Sequence, residues 1–506
     1  MKGTQIKFRK MAQTNGHDAS NGIVFGLMNQ QGKYLTAEKF GNQISVTGTS
    51  LRSKQLWTFE PEGAESSKGY LRSPQKNYLE TTKTGTVTCE AEEKEVSLLF
   101  DVTVADDGRW AFKDSFGKFL AGNTERLYTT MDSKQADEYL WAIHIAGHPQ
   151  CNMRSVSRKR FVHLKDDQLC ANEDIPWGHD AVITLEFHRG KYAIRDSNGR
   201  YLNGESGELE TTSTEECMFS IALQDTEFAF KSSSGKYLTV YGPAGKLIAN
   251  KKAISRDELF ALEQSKAQVM LTANNGKTAS IKQGIDVTAN QFLELGDFGD
   301  TETFQMEFID GQQNQVTFLS KNKKYWTAGN KSVTSSADQI SPECIFELEY
   351  EGDKIALKAH NDRYITSTSG GKLVPTGETT SDANTLFLMQ LMNRPILVLR
   401  CEHGYVGLID SNDKVQCNRG GYDAMLVEGD GQGRYRLKTS KGKSWKVDGT
   451  SHLVQSSDEG DLFLFELCSK NKMRIQASNG KYLKGDHNGV ITASAGKDDR
   501  NILWEY

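Results

Sequence analysis

A short phrase recurs along this chain about every 40 residues, and a period of that length decides architecture before any single residue does. It reads Gly32-Lys33-Tyr34-Leu35, Lys76-Asn77-Tyr78-Leu79 and Gly117-Lys118-Phe119-Leu120. It returns as Lys159-Arg160-Phe161-Val162, Gly199-Arg200-Tyr201-Leu202 and Gly235-Lys236-Tyr237-Leu238. A degenerate copy at Gly276-Lys277 is followed by Lys323-Lys324-Tyr325-Trp326, Asp362-Arg363-Tyr364-Ile365 and His403-Gly404-Tyr405-Val406. The last copies are Gly442-Lys443-Ser444-Trp445 and Gly480-Lys481-Tyr482-Leu483. Each combines a turn that admits positive φ, a solvated base and an aromatic-aliphatic pair that starts a β-run. Between them lie alternating segments such as Leu56-Trp57-Thr58-Phe59, Leu140-Trp141-Ala142-Ile143 and Ile345-Phe346-Glu347-Leu348. That alternation suits half-buried strands. No long stretch carries a helical period, so the expected class is all-β.

Twelve copies do not suit a propeller, which uses about four to eight blades and carries Gly-His and Trp-Asp signatures. Grouped in threes, they make four tandem β-trefoils. The phase predicts a flexible tail over 1–23 and trefoils over 24–147, 148–265, 266–392 and 393–506. Pro149 and Pro395 stand at equivalent entry points. The phrase aromatics are expected in shared barrel cores: Tyr34, Tyr78 and Phe119 in the first, Tyr325 and Tyr364 in the third. No long linker separates the units, so they are expected to pack into a compact, rigid monomer.

The chain has 61 Lys and Arg against 66 Asp and Glu, a net charge of −5. That balance gives no global footprint for nucleic acid or a membrane surface, and the apolar runs are too short to insert in a bilayer. The eight cysteines are scattered, with neither a Cys-x-x-Cys pair nor a Cys/His cluster. They read as free thiols of a reducing cytoplasm, and neither metal nor cofactor is expected. Residues 1–22 are polar and lack the apolar stretch of a signal peptide.

Catalytic signatures are missing: no Gly-x-Ser-x-Gly, P-loop, His-Glu-x-x-His or dinucleotide fingerprint occurs. The paired acids Asp106-Asp107, Asp166-Asp167 and Asp498-Asp499 read as solvated turns, because strand neighbours point to opposite faces. The chain is therefore expected not to be an enzyme. A sugar-binding trefoil array is the second reading, but the Gln-x-Trp signature occurs once as Gln55-Leu56-Trp57.

Local charge is more informative. No carboxylate falls between Glu38 and Glu60, where Lys39, Arg52 and Lys54 lie. Arg154 to Lys165 holds five bases and no acid, as does Lys470 to Lys484. Gly284 to Ser320 has seven acids and no base. Any one such stretch reads most simply as a solvated turn. Three on an acidic chain suit docking to an acidic macromolecular surface at more than one place.

Several segments closely resemble the fascins, actin-bundling proteins of four β-trefoils. They are Gly26-Leu27-Met28-Asn29 through Gly32-Lys33-Tyr34-Leu35-Thr36-Ala37-Glu38, then Ser50-Leu51-Arg52-Ser53-Lys54-Gln55-Leu56-Trp57 and Arg158-Lys159-Arg160-Phe161. Ile175-Pro176-Trp177-Gly178, Asn393-Arg394-Pro395-Ile396, Glu402-His403-Gly404, Tyr482-Leu483-Lys484-Gly485-Asp486-His487 and Trp504-Glu505-Tyr506 continue the match in order. The resemblance implies a monomer that cross-links parallel filamentous actin in the cytoplasm, in filopodia and other cell projections of the cytoskeleton. It implies that Ser50 is the serine whose phosphorylation by protein kinase C switches bundling off. It matches Lys33, Lys54, Glu402, His403 and Lys484 to an actin-binding surface where the first and last trefoils meet. It matches Arg109, Arg158, Lys159 and Arg160 to other filament contacts. Two departures stand out. Fascins often have three consecutive lysines where this chain has Arg52-Ser53-Lys54, and some carry a basic pair where it has Thr368-Ser369.

Overall fold

The computed structural model describes residues 4–5, 23–63, 66–224, 226–293, 297–312, 314–409 and 414–506. Nearly all of the expected tail lies outside them, apart from Thr4–Gln5, which pairs with Val104 and Thr103, and Ile23, which opens the strand Ile23–Met28. The described strands form four antiparallel sheets of 13, 12, 12 and 13 strands, lying within residues 4–145, 150–264, 268–391 and 396–505. Among the described residues helix is confined to one turn, Ala136–Tyr139, and to short 3-10 turns. The chain is all-β, four tandem β-trefoils.

Each sheet closes on itself. In the first, Ala142–Ile145 returns to Ile23–Met28 with Ile143 opposite Leu27. In the second, Phe260–Gln264 returns to Gln150–Ser155, and in the third Leu386–Leu391 returns to Gln268–Ala273. In the fourth, Arg400 faces Glu505. Closure pairs the terminal strands, which would otherwise expose unpaired backbone groups.

Each phrase opens a hairpin, and here the structure corrects the expected core. It is the residue after the aromatic that enters the barrel. Leu35, Leu79 and Leu120 are fully buried in the shared core, whereas Tyr34 and Tyr78 lie in two separate outer clusters and Phe119 packs against a third. In the third sheet Trp326 and Ile365 are in the core, while Tyr325 and Tyr364 are half-buried outside it.

Strand neighbours face opposite sides, so only one of the two can point inward. A tyrosine hydroxyl needs a partner that an apolar barrel does not offer. Outside, it finds a carboxylate: Tyr78 with Glu60, Tyr201 with Glu186, Tyr364 with Glu349 and Tyr482 with Glu466. Tyr34 instead bonds Nδ1 of His144 at 2.8 Å.

Indole nitrogens lock the inward residues. Trp57, Trp141 and Trp504 donate from Nε1 to the carbonyls of Leu35, Leu120 and Leu483 at 2.9, 2.9 and 3.1 Å. Trp57 is fully buried and Gln55 nearly so, so the one Gln-x-Trp copy serves barrel packing and offers no face to a sugar.

The chain falls into two compact units: Met1–Asp174 with Ile183–Gln264, and Ile175–Val182 with Ser265–Tyr506. The first holds the first two sheets. Their buried apolar residues form one cluster, and Tyr192 of the second sheet donates to the Ile143 carbonyl and accepts from the Ile145 amide. The second unit holds the other two sheets, again over one cluster. There the Tyr435 hydroxyl accepts from Leu391 N at 2.7 Å and the Tyr350 hydroxyl donates to Leu467 O at 3.1 Å. Arg394, fully buried, donates to the Asn393 and Ser265 carbonyls.

Candidate functional site

In the first unit, the strand Tyr34–Ala37 hydrogen-bonds into a hairpin with Ile44–Gly48, and a 3-10 turn, Ser53–Gln55, follows. Lys33 lies in the turn before this hairpin, where its amide is bonded by Asn29 Oδ1 at 2.9 Å. Asn29 also donates to the Gly122 carbonyl at 3.2 Å, which fixes the turn against the third hairpin of the same sheet. Lys33 is half-exposed, and no ion partner is found for it among the described residues. Lys54 is paired: its Nζ stands 2.5 Å from Glu38 Oε2. A stretch free of acids in sequence is thus closed in space by the carboxylate at its border.

Ser50 is the least accessible of the expected residues, at 4% exposure. Its hydroxyl accepts from Arg52 Nε at 2.8 Å. Leu51 beside it packs with Met28, Tyr34 and Ala142, and the Gln55 amide bonds Thr36 Oγ1 at 3.0 Å. The serine is therefore sealed by its own basic neighbour and by the packing of the residue after it.

Arg109, on the turn between Phe100–Val104 and Trp110–Lys113, is held by Asp107 at 2.8 Å and Asp137 at 3.5 Å. The second basic stretch is also largely neutralised. Arg154 meets Glu263 at 2.6 Å, and Arg160 pairs with Asp174. Arg158 donates from Nη2 to the Val240 carbonyl at 2.9 Å. Lys159 and Lys165 are exposed and have no ion partner among the described residues. Lys159 occupies the left-handed turn position that glycine takes in most phrases, with φ of 56°. The turn thus lifts one unpaired ammonium into solvent.

In the second unit, Glu402 and His403 sit on the tight turn between Arg400–Cys401 and Gly404–Leu408. Glu402 is exposed and His403 half-buried, with His403 Nε2 3.7 Å from Glu402 Oε1. Lys484, on Tyr482–Gly485, reaches Asp499 at 2.7 Å. That hydrogen bond holds the Asp499 carboxyl below its ordinary range.

These two stretches, some eighty residues apart in sequence, are neighbours in the fold. The Cys401 thiol meets the Cys417 carbonyl at 3.4 Å. The Cys417 amide donates to Gly489 O at 3.0 Å, and its thiol to Asp486 O at 3.7 Å. The strand ahead of Glu402 and His403 and the hairpin that carries Lys484 therefore both meet the strand Val415–Arg419 of the fourth barrel. Of the third basic stretch, Lys470 reaches Asp310 at 3.9 Å and Arg474 the buried Glu466 at 3.8 Å. Lys472 and Lys481 are exposed without an ion partner among the described residues.

At Thr368-Ser369 no base stands in the turn itself, but Lys372 donates its amide to Thr368 Oγ1 and reaches Asp286 at 3.8 Å. The partners Glu38, Asp174 and Glu263 were not legible as site residues: two of the three lie outside the basic window that they neutralise, and the third borders it.

A sequence model described as Fascin domain matches residues 31–143, 151–262, 274–384, 345–425 and 402–506. Mouse Fascin-2 is 36% identical over 499 residues, covering 97% of this chain and 100% of that one. Human Fascin-2 is 35% identical over 498 residues with the same coverage. Fascin of Strongylocentrotus purpuratus is 33% identical over 500 residues, 95% of this chain and 98% of that one. With four closed β-trefoil sheets and family matches along its whole folded length, the chain belongs to the fascin family.

Proposed function

We propose that this chain bundles parallel actin filaments as a monomer, through at least two separate basic surfaces. Membership of the fascin family carries the reading, and the distribution of unpaired cations supports it. In the first unit Lys33 lies on the first sheet and Lys159 on the second. In the second unit Lys472 and Lys481 are exposed on the same sheet that carries Glu402, His403 and Lys484. A filament surface is acidic, so exposed ammonium groups steer and orient the encounter. Single contacts can be weak, because many cross-links along two filaments act together by avidity.

Lys33, Lys54, Arg109, Arg158, Lys159, Arg160, Glu402, His403 and Lys484 are the proposed filament residues, in two roles. Lys33 and Lys159 offer free charge. Arg158 and Arg160 hold the turn that presents Lys159, since their own guanidinium groups are already bonded, and Arg109 is likewise bonded, to Asp107 and Asp137. Ser50 is the proposed phosphorylation site, with protein kinase C as the proposed kinase. A phosphate there carries about −1.5 to −2 charges and takes the Arg52 guanidinium for itself. Filopodia and related projections are the proposed location.

Negative-stain electron microscopy of filamentous actin mixed with the full chain tests the reading. Tight parallel bundles that loosen as salt rises are expected, because exposed charges are screened within about 10 Å at 0.1 M ionic strength. Single filaments at every protein ratio would refute it.

A further inference from the structure

In the second sheet, the hairpin of Tyr237–Tyr241 with Lys246–Lys251 ends in an apolar tip. Tyr241 closes the pairing opposite Lys246, and Gly242-Pro243-Ala244-Gly245 make the turn. Tyr241 is 61% exposed, and Pro243 and Ala244 are exposed beside it. The tip is held in place. Gly242 and Gly245 take φ of 66° and 78°, and the Gly245 amide donates to the Gly242 carbonyl at 3.2 Å. From the strand Gln168–Glu173, the Ala171 amide donates to Gly245 O at 2.8 Å and Asn172 Nδ2 to Ala244 O at 3.1 Å. A Cβ on Gly245 would stand 2.7 Å from the Ala171 carbonyl oxygen, so the tip is seated directly on that strand.

Its attachment sets this tip apart. The Arg158 guanidinium donates to the Val240 carbonyl at 2.9 Å, a bond that spans 82 residues. It ties the basic turn to the strand that ends in the tip. The next residues along the chain from this bond are Lys159 on one side and Tyr241 on the other. Lys159 is exposed and has no ion partner among the described residues. The tyrosines Tyr78, Tyr201, Tyr364 and Tyr482 each give their hydroxyl to a carboxylate. Tyr241 makes no hydrogen bond from its side chain among the described residues. Phe292, also exposed, has the Lys277 ammonium over its ring at 5.4 Å; no cation covers Tyr241 among the described residues.

We propose that Tyr241 is the aromatic anchor of the second-sheet contact, entering an apolar recess on an acidic protein surface while Lys159 meets the carboxylates at its rim. Exposed charge steers and orients an encounter, but a few buried aromatic and arginine side chains carry most of the affinity of an interface. A tyrosine loses little side-chain freedom when it docks, and a tip already fixed by its own bonds adds little ordering cost. A lipid surface suits this tip less well. Stable attachment there needs several free cations around the apolar part, whereas Arg158 is spent on Val240 and Lys246 on Glu208, at 2.6 Å. That the acidic protein is filamentous actin rests on the reading proposed above.

Tyr241→Ser and Tyr241→Phe in the full chain test the anchor. Because the side chain is exposed and unbonded, both should melt with the unsubstituted protein. The protein concentration that brings half of the actin into the low-speed pellet should rise about tenfold for Tyr241→Ser and stay within about twofold for Tyr241→Phe. The loss with Tyr241→Ser should persist as salt rises, whereas the loss with Lys159→Gly should shrink, because salt screens charge and not apolar burial. Unchanged pelleting by folded Tyr241→Ser, with bundles formed by the unsubstituted chain, overturns the anchor and leaves the bundling reading standing. No bundles from the unsubstituted chain would remove both. Sedimentation with phosphatidylserine vesicles that Tyr241→Ser abolishes, with actin pelleting untouched, would give the tip to a membrane and overturn the proposal.

Discussion

The Arg52 guanidinium donates to the Ser50 hydroxyl at 2.8 Å, and Ser50 is only 4% exposed. A kinase needs its target serine free of such bonds and accessible, so phosphorylation of the folded chain must wait for local opening of this segment. The expected outcome is a much slower initial rate with protein kinase C on native protein than on a free peptide spanning residues 45–57. Equal rates would show that the packing around Ser50 does not control access.

Substitution at Ser50 acts on stability as well as charge. Ser50→Glu puts a carboxylate into a nearly closed site, at a cost of about 1–3 kcal/mol, so a lower Tm is expected together with weaker bundling. Ser50→Ala loses one charge-assisted hydrogen bond, about 1.5 kcal/mol, and should keep its bundles. Undiminished tight bundles with Ser50→Glu, seen by electron microscopy, would count against a charge switch here.

Lys159 separates charge from fold better than its neighbours do. Reversing Arg158 breaks the bond to the Val240 carbonyl, and reversing Arg160 sets a second carboxylate against Asp174. Lys159 has no such partner among the described residues and sits at φ of 56°, where glycine is at ease. Lys159→Gly is expected to hold or raise stability, by up to about 1 kcal/mol, while weakening filament binding. A lowered Tm would show that the lysine side chain supports the turn.

The repeat made the barrel count legible, because a tight turn followed by an apolar pair survives in most copies. Which member of the pair points inward was not legible: Tyr34 and Leu35 are both apolar enough for a core, and alternation has no absolute phase. The indole bonds from Trp57, Trp141 and Trp504 set that phase, and each spans about twenty residues. Charge was legible only as a local window. Arg154 finds Glu263 from 109 residues away, so a stretch without acids is not a surface without acids.

Acid should unsettle the first unit through Glu186. Burial pushes its carboxyl up, but hydrogen bonds and charge from His188 and Arg195 outweigh that and hold it below the ordinary value. A depressed folded pKa contributes stability above the unfolded value, about 4.3 for glutamate, and loses it as pH falls through the folded one. Glu186→Gln should therefore lower Tm at neutral pH, and its difference from the unsubstituted chain should shrink as pH drops below about 4. A difference that stays constant from pH 7 to pH 3 would rule out this carboxylate as a source of acid sensitivity.

Paired sedimentation with filamentous actin tests the central claim, cross-linking through separate surfaces, most directly. The full chain should carry actin into the low-speed pellet. Lys159→Glu, confirmed folded by its melt, should deplete that pellet several-fold while more of the protein still sediments with single filaments at high speed. Actin that stays in the low-speed supernatant with the folded, unsubstituted chain would contradict the account.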